Sequence, residues 1–404
     1  MFWRQTYIDQ IMPFVDLPLV KIITGVRRCG KSTLILMLME ELKKRGISES
    51  CLIRINFDTL EWQNVEAKQV FDLIKLKLAP NERTYLFLDE IQEIDNWERL
   101  VNTLMEETEY NVDIFVTGSN SKMMSSEIST YLTGRYISFR IYPLSFGEYL
   151  SFKEQYSNLS DLNKEFINYL KYGGFPAVHL KQLSLEEAYV IVKDIYNTTI
   201  FTDIVKRNQI RKIDQLERVV KFSFDNIGNT FSANSLKGFL EKQKRKIDIE
   251  TVYNYLAKLE GAYILNRCSR QDLQGRKILK TQEKFYLADT SFKYAVLGNR
   301  KDDISQILEN IVYLELRRRG YEVFIGKLES QEIGFVCEKQ GKSIYVQVAY
   351  LLLDQRIKER EFGNLLKIED NFPKFVVSMD EIDMSQRGII HLNIKDFLLK
   401  KWTI

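Results

Sequence analysis

One short run decides most of what this chain can fold into: TGVRRCGKSTLILMLMEEL, residues 24–42. Gly25 to Ser32 reads G-x-x-x-x-G-K-S, with the apolar LVKII before it and the helix-forming stretch Thr33 to Leu42 after it. A phosphate-cradling loop needs strand, glycine loop and helix in that order. Its backbone N–H groups must turn inward at a helix N-terminus, where the dipole also favours an anion. The spacing predicts that Gly25, Val26, Arg27, Arg28, Cys29, Gly30, Lys31, Ser32 and Thr33 wrap the phosphates of ATP. Lys31 is expected on the terminal phosphates and the Ser32 hydroxyl on Mg²⁺.

A second run, TYLFLDEIQEIDNW, places Asp89 and Glu90 directly after an apolar strand. A buried parallel strand delivers such carboxylates to the carboxyl edge of its sheet, beside the phosphate loop. Asp89 is the expected Mg²⁺ partner, and Glu90 the expected base for the attacking water. The next strand, VDIFVTGSNS, ends in Ser119 and Asn120, which are candidates to touch the γ-phosphate or that water. Arg135, behind Gly134, is a candidate arginine finger acting in its own or a neighbouring subunit.

The remaining chemistry is bounded by what is scarce. His179 and His391 are the only histidines, and Cys29, Cys51, Cys268 and Cys337 have neither pairing nor metal spacing. Histidine catalysis and a zinc site are therefore not expected, and a reducing cytoplasm is. No apolar run reaches the roughly 20 residues that span a bilayer, and the first residues lack signal-peptide features. A net charge of +3 confines any nucleic-acid surface to a local patch.

The ordered segments GVRRCGKST, LFLDEIQ, VTGSNS, YLTGR, YPLSFGEYL and YGGFPAV resemble a large prokaryotic family of AAA+ ATPases. Members carry a C-terminal region of unknown function. The likeness continues through DIYNTTIFTDIVKRNQI, TVYNYLAKLEGAYIL and EKFYLADTSFKYAVLG to LENIVYLELRRRGYEV. It implies an α/β chain with an ATPase core at 1–145, a helical lid at 146–208, a winged helix at 209–298 and a nuclease-like domain at 299–404.

The residues agree with those divisions. Three amphipathic helices from Ile213 onward, then two strand-like runs, outline a winged helix whose recognition element would be Glu250 to Glu260. Between Ser232 and Phe285 there are 12 Lys and Arg against 6 Asp and Glu. Lys244, Arg245, Lys246, Arg270, Arg276 and Lys277 are the expected DNA contacts, duplex or branched. The last hundred residues follow an α-β-β-β-α-β order that resembles the restriction-endonuclease-like fold. Where active members carry Asp and E-x-K, this chain has Gly334, Gln347 and Ala349, leaving Glu309 and Glu332 without a flanking lysine. The expectation is a catalytically silent module in a DNA-coupled, oligomeric ATPase. The alternatives are a slow nucleotide switch that docks a protein and, more weakly, an ATP-regulated nuclease.

Overall fold

The computed structural model describes residues 1–78, 82–106, 111–120, 132, 134–242, 247–275, 277–298 and 304–399. The chain divides into two compact units, Met1–Pro143 with Gly261–Tyr263, and Leu144–Glu260 with Ile264–Ile404. No helix among the described residues is long and apolar enough to cross a membrane.

The first unit runs α1 (Gln5–Ile11), β1 (Val20–Thr24), α2 (Lys31–Lys44), β2 (Leu52–Asn56), α3 (Ala67–Lys75), β3 (Arg83–Asp89), α4 (Trp97–Glu106), β4 (Asn111–Gly118) and β5 (Tyr136–Arg140). All five strands are parallel, in the order β2-β3-β4-β1-β5. β1 is buried throughout and β3 nearly so, which is why their sequences read as continuous apolar runs rather than alternating ones. Because β1 lies beside β4 and β4 beside β3, the loops after these strands open at one edge of the sheet. At the opposite edge a buried Lys21–Asp113 ion pair joins β1 to β4, and Asp113 also accepts the Asp16 N–H at 2.8 Å.

The second unit begins with α5 (Phe146–Tyr156), α6 (Leu162–Tyr172) and α7 (Leu185–Thr198), the last continuing into a π-helical stretch, Thr199–Lys206. Reciprocal capping by Ser145 with Glu148 and Ser184 with Glu187 starts α5 and α7. Asp203 and Arg207, the charged pair closing this stretch, lie 3.7 Å apart on one helical face. Next come α8 (Ile213–Asp225), α9 (Ala233–Lys242), α10 (Ile249–Gly261) and the antiparallel pair β6 (Leu265–Asp272) and β7 (Lys277–Leu287). The chain finishes with α11 (Ser291–Leu297), α12 (Ile304–Arg318), β8 (Glu322–Leu328), β9 (Gln331–Lys339), β10 (Lys342–Val348), α13 (Gln355–Leu366), β11 (Lys374–Ser378), β12 (Ile389–Asn393) and α14 (Ile394–Leu399).

No seam separates the β6–β7 hairpin from the C-terminal strands. β6 pairs with β7 on one side and, in parallel, with β8 on the other. One seven-stranded sheet, β12-β11-β10-β9-β8-β6-β7, therefore crosses the boundary placed at 298/299 from sequence. A boundary there reads helix punctuation along the chain, whereas strand pairing joins segments more than fifty residues apart.

Two conspicuous sequence segments, YGGFPAV and YLADTSF, meet in a single contact. The buried Asp289 carboxylate accepts the Gly174 N–H at 2.7 Å and the Ser291 N–H at 3.0 Å. Gly173 has φ +70°, and a Cβ there would collide with Asp289 Oδ1. Gly173→Ala should therefore lower stability by roughly 3 kcal/mol, from left-handed strain plus overpacking. In an Asp289→Ala background the same change should cost no more than about 1 kcal/mol, as read from urea unfolding of the double-mutant cycle.

Candidate nucleotide site

Gly25 begins the loop after β1, and a Cβ there would run into the Ile141 carbonyl. Only glycine lets the two backbones pass. The loop ends at Gly30, which caps α2 with φ +104°. Arg4 braces it from behind: buried over the Tyr7 ring, its guanidinium donates to the Cys29 carbonyl at 3.1 Å and the Tyr142 carbonyl at 3.0 Å. Val26 and Cys29 are buried, Arg27 is half-buried, and Arg28 and Thr33 are exposed.

Lys31 is buried and donates to the carbonyls of Gly25 at 3.1 Å and Val26 at 3.3 Å. It lies 3.7 Å from the Glu90 carboxylate. Asp89 is fully buried, and its Oδ1 accepts from Ser32 Oγ at 3.1 Å and Thr117 Oγ1 at 2.5 Å. Thr117 Oγ1 in turn accepts the Glu90 N–H at 2.9 Å. Glu90 has φ +53°, a left-handed backbone that this bond helps to hold, and Gln92 donates to its carboxylate. Asn120 is buried next to Ser119, whose buried Oγ has no hydrogen-bond partner among the described residues.

These residues fit Mg²⁺ and a nucleotide. The cradle closes around a loop with no side chain at Gly25, two hard oxygen donors meet at Ser32 and Asp89, and the buried Ser119 hydroxyl has no partner among the described residues. Phosphates would lie on the loop and Lys31, with the metal held by Ser32 and Asp89. Thr117 and Arg4 were not singled out from sequence. A threonine at a strand tip and an arginine in an N-terminal helix carry no motif.

Arg135 does not join this group. The Val20 N–H donates to its carbonyl, so it lies at the start of β5, about 15 Å along the sheet from the loop that follows Thr24. There it is half-exposed and pairs with Glu106 at 3.3 Å. This position sets it apart from its own chain's phosphate loop.

Of the expected DNA contacts, Lys244, Arg245, Lys246 and Arg276 lie outside the described residues. Lys277 is exposed at the head of β7, and Arg270 hydrogen-bonds Gln282 across the hairpin. The face that α10 leaves exposed carries Glu250, Asn254 and Ala257, and Lys258 donates to Asn208 at 3.1 Å. Among the described residues, the exposed positions of α10 thus carry no basic side chain.

In the C-terminal segment a cavity of about 510 Å³ is lined by Lys284, Glu309, Glu332, Gly334, Gln347 and Glu361. Position 349 holds no lysine, and the cation beside these carboxylates comes from β7 instead. Lys284 Nζ lies 3.0 Å from Glu309 and 2.8 Å from Glu332. Burial alone would lower its pKa, but the two carboxylates outweigh burial and hold it above the ordinary lysine value. A side chain at position 334 has no room, because a Cβ would lie 2.5 Å from Gln347 Oε1 and 2.8 Å from the Val346 carbonyl. Ala349, the expected lysine position, packs in an apolar cluster with Phe362 and Leu365. Among the described residues no group of three or more His, Cys, Asp or Glu is placed to hold a metal.

A serine, histidine and aspartate also meet in this unit, but as structure. His391 Nδ1 accepts the Met384 N–H at 3.2 Å, so Nε2 carries the proton and donates to Ser378 Oγ at 2.9 Å. Ser378 donates onward to Asp380 at 2.7 Å, so its proton points away from the imidazole and no base activates it.

The Lys284 cluster makes a test of pH. Lys284→Ala leaves Glu309 and Glu332 facing each other uncompensated, which should cost about 2 kcal/mol at neutral pH. Because Lys284 is held charged above the ordinary lysine value, its contribution is full below that value and is lost as pH rises past it, so the deficit should shrink above about pH 10.4. Urea midpoints of parent and variant across about pH 7–11 measure it.

Residues 18–150 match the AAA domain family, and residues 163–303 match a domain of unknown function, DUF8612. An uncharacterised protein of Haemophilus influenzae is 34% identical over 403 residues, 99% of each chain. A second, from Methanocaldococcus jannaschii, is 29% identical over 391 residues, covering 93% of this chain and 85% of that one. Among solved structures, the Walker-type ATPase PABY2304 of Pyrococcus abyssi covers 74% of this chain and 96% of its own at 14% identity, with a TM-score of 0.48. With the phosphate loop and its carboxylates in place, the chain belongs to the family of AAA-domain proteins, joined to a domain of unknown function, that includes the Haemophilus protein.

Proposed function

We propose that this protein is a Mg²⁺-dependent ATPase, working as a homo-oligomer in the cytoplasm, whose second unit engages DNA. The observation that carries the ATPase reading is the continuous chain Ser32–Asp89–Thr117–Glu90 beside Lys31. It ties the Asp89 carboxylate and the Glu90 backbone N–H to one threonine hydroxyl. Bound Mg²⁺ supplies charge neutralisation on the terminal phosphates. Lys31 shares that task, and Glu90, its backbone fixed by Thr117, orients the attacking water and takes its proton. Ser119 and Asn120 supply polar contacts to the same water or phosphate. Arg135, remote from its own loop, would serve a neighbouring copy. Four buried free cysteines support a reducing compartment.

Glu90→Gln should bind ATP like the parent and turn it over at least a hundredfold more slowly. Lys31→Ala should lose binding as well. Parent-rate hydrolysis by Glu90→Gln in a phosphate-release assay would remove Glu90 from this role.

The DNA reading rests on the basic excess of the α9–β7 segment. A second reading, a nucleotide switch that docks a protein, is favoured by the uncharged or acidic exposed face of α10. Reversing Arg270 and Lys277 to Glu separates them. If they contact phosphates, DNA affinity should fall and the slope of log affinity against log salt should flatten by about 2. Unchanged affinity or slope supports protein docking. The nuclease-like segment is read as catalytically silent, Glu309 and Glu332 being paired with Lys284.

A further inference from the structure

Asp89 has a third partner that the phosphate-loop motif does not foresee. Arg54, the one charged residue of β2, reaches across to β3 and places a guanidinium nitrogen 2.8 Å from Asp89 Oδ2. Strand register explains the reach: Arg54 is opposite Phe87 and Asn56 opposite Asp89, so a long side chain two residues back spans the step. Arg54 keeps 29% of its side chain exposed, whereas Asp89 keeps none. With Ser32 and Thr117 on Oδ1 and Arg54 on Oδ2, both oxygens of the carboxylate are engaged and its charge is balanced. Lys31 is likewise engaged, with the carbonyls of its own loop.

A divalent cation recruited by Ser32 and Asp89 would come to a neutralised carboxylate and set its charge beside a guanidinium. Nucleotide phosphates reverse that balance, since their negative charge attracts the cation and Arg54 alike. We propose that Arg54 guards the metal carboxylate: it competes with the divalent cation for Asp89 and makes metal recruitment conditional on nucleotide. The inference rests on the nucleotide-site reading and adds a positioning residue to it.

The full chain can be titrated with Mn²⁺, bound ion being counted by electron paramagnetic resonance, with and without ADP. The parent should bind Mn²⁺ appreciably only when ADP is present. Arg54→Met should bind it without ADP on the order of tenfold more tightly than the parent, the effect of removing one like charge from beside the ion. Asp89→Asn in that background should abolish the gain, which locates the ion. Arg54→Lys, retaining charge, should behave as the parent and controls for changes to β2. Unchanged Mn²⁺ binding in Arg54→Met overturns the proposal, as does a gain equally present in Arg54→Lys. Weaker ADP binding by Arg54→Met in EDTA also overturns it, by making Arg54 a phosphate ligand. Failure of the nucleotide reading is separately visible: the parent would then bind no ADP, while nucleotide-free Mn²⁺ binding would still decide the role of Arg54.

Discussion

A single threonine hydroxyl organises the first unit. Thr117 Oγ1 donates to Asp89 and accepts from the Glu90 backbone, so one atom on β4 fixes both acidic residues at the end of β3. That link exists only because β3 and β4 are parallel neighbours, and β1 flanks β4 on its other side. Strand order thus becomes site geometry. The apolar cluster of Ile22, Leu86, Leu88, Ile114 and Val116 beneath the sheet edge keeps these strands from shifting in register. A slip of one residue would turn Asp89 and Thr117 to opposite faces.

The second unit is ordered by buried charge rather than by a motif. Asp289 binds the turn at Gly173 and Gly174, and Lys284 balances Glu309 and Glu332. Each group is worth little in isolation and much in context, because the carboxylate or ammonium would be stranded in a low-dielectric setting without its partner. Gly173, Asp289 and Lys284 therefore serve the assembly of this unit.

How much of this could be read from the sequence depended on whether the chemistry was local. The phosphate loop is contiguous, and its glycines, lysine and serine lie where their spacing places them. Asp89 and Glu90 were legible because an apolar strand announces where it ends. Arg54 and Thr117 were not, since nothing along the chain links residue 54 to residue 89 before β2 and β3 pair. Arg135 stayed open to its own or a neighbouring subunit for the same reason: a place behind a glycine does not say which end of a strand follows. Lys284 was not legible, because the nuclease-like pattern expects its lysine at position 349, and this cation enters from β7, more than sixty residues earlier. Pattern reading also saw Gly334 as a lost aspartate. Its contacts show a position where two backbones pass too closely for any side chain.

The parallel pairing of β6 with β8 bears on how this architecture can be dissected. β6 is an interior strand only while β8 is present. A fragment ending before residue 304 would turn its Arg270–Asp272 stretch into an open edge, with unpaired N–H and carbonyl groups ready to capture another strand. It would also release Lys284 from both of its carboxylates. The hairpin and the C-terminal strands thus share one sheet, and exchange of modules between relatives would have to carry the whole of it.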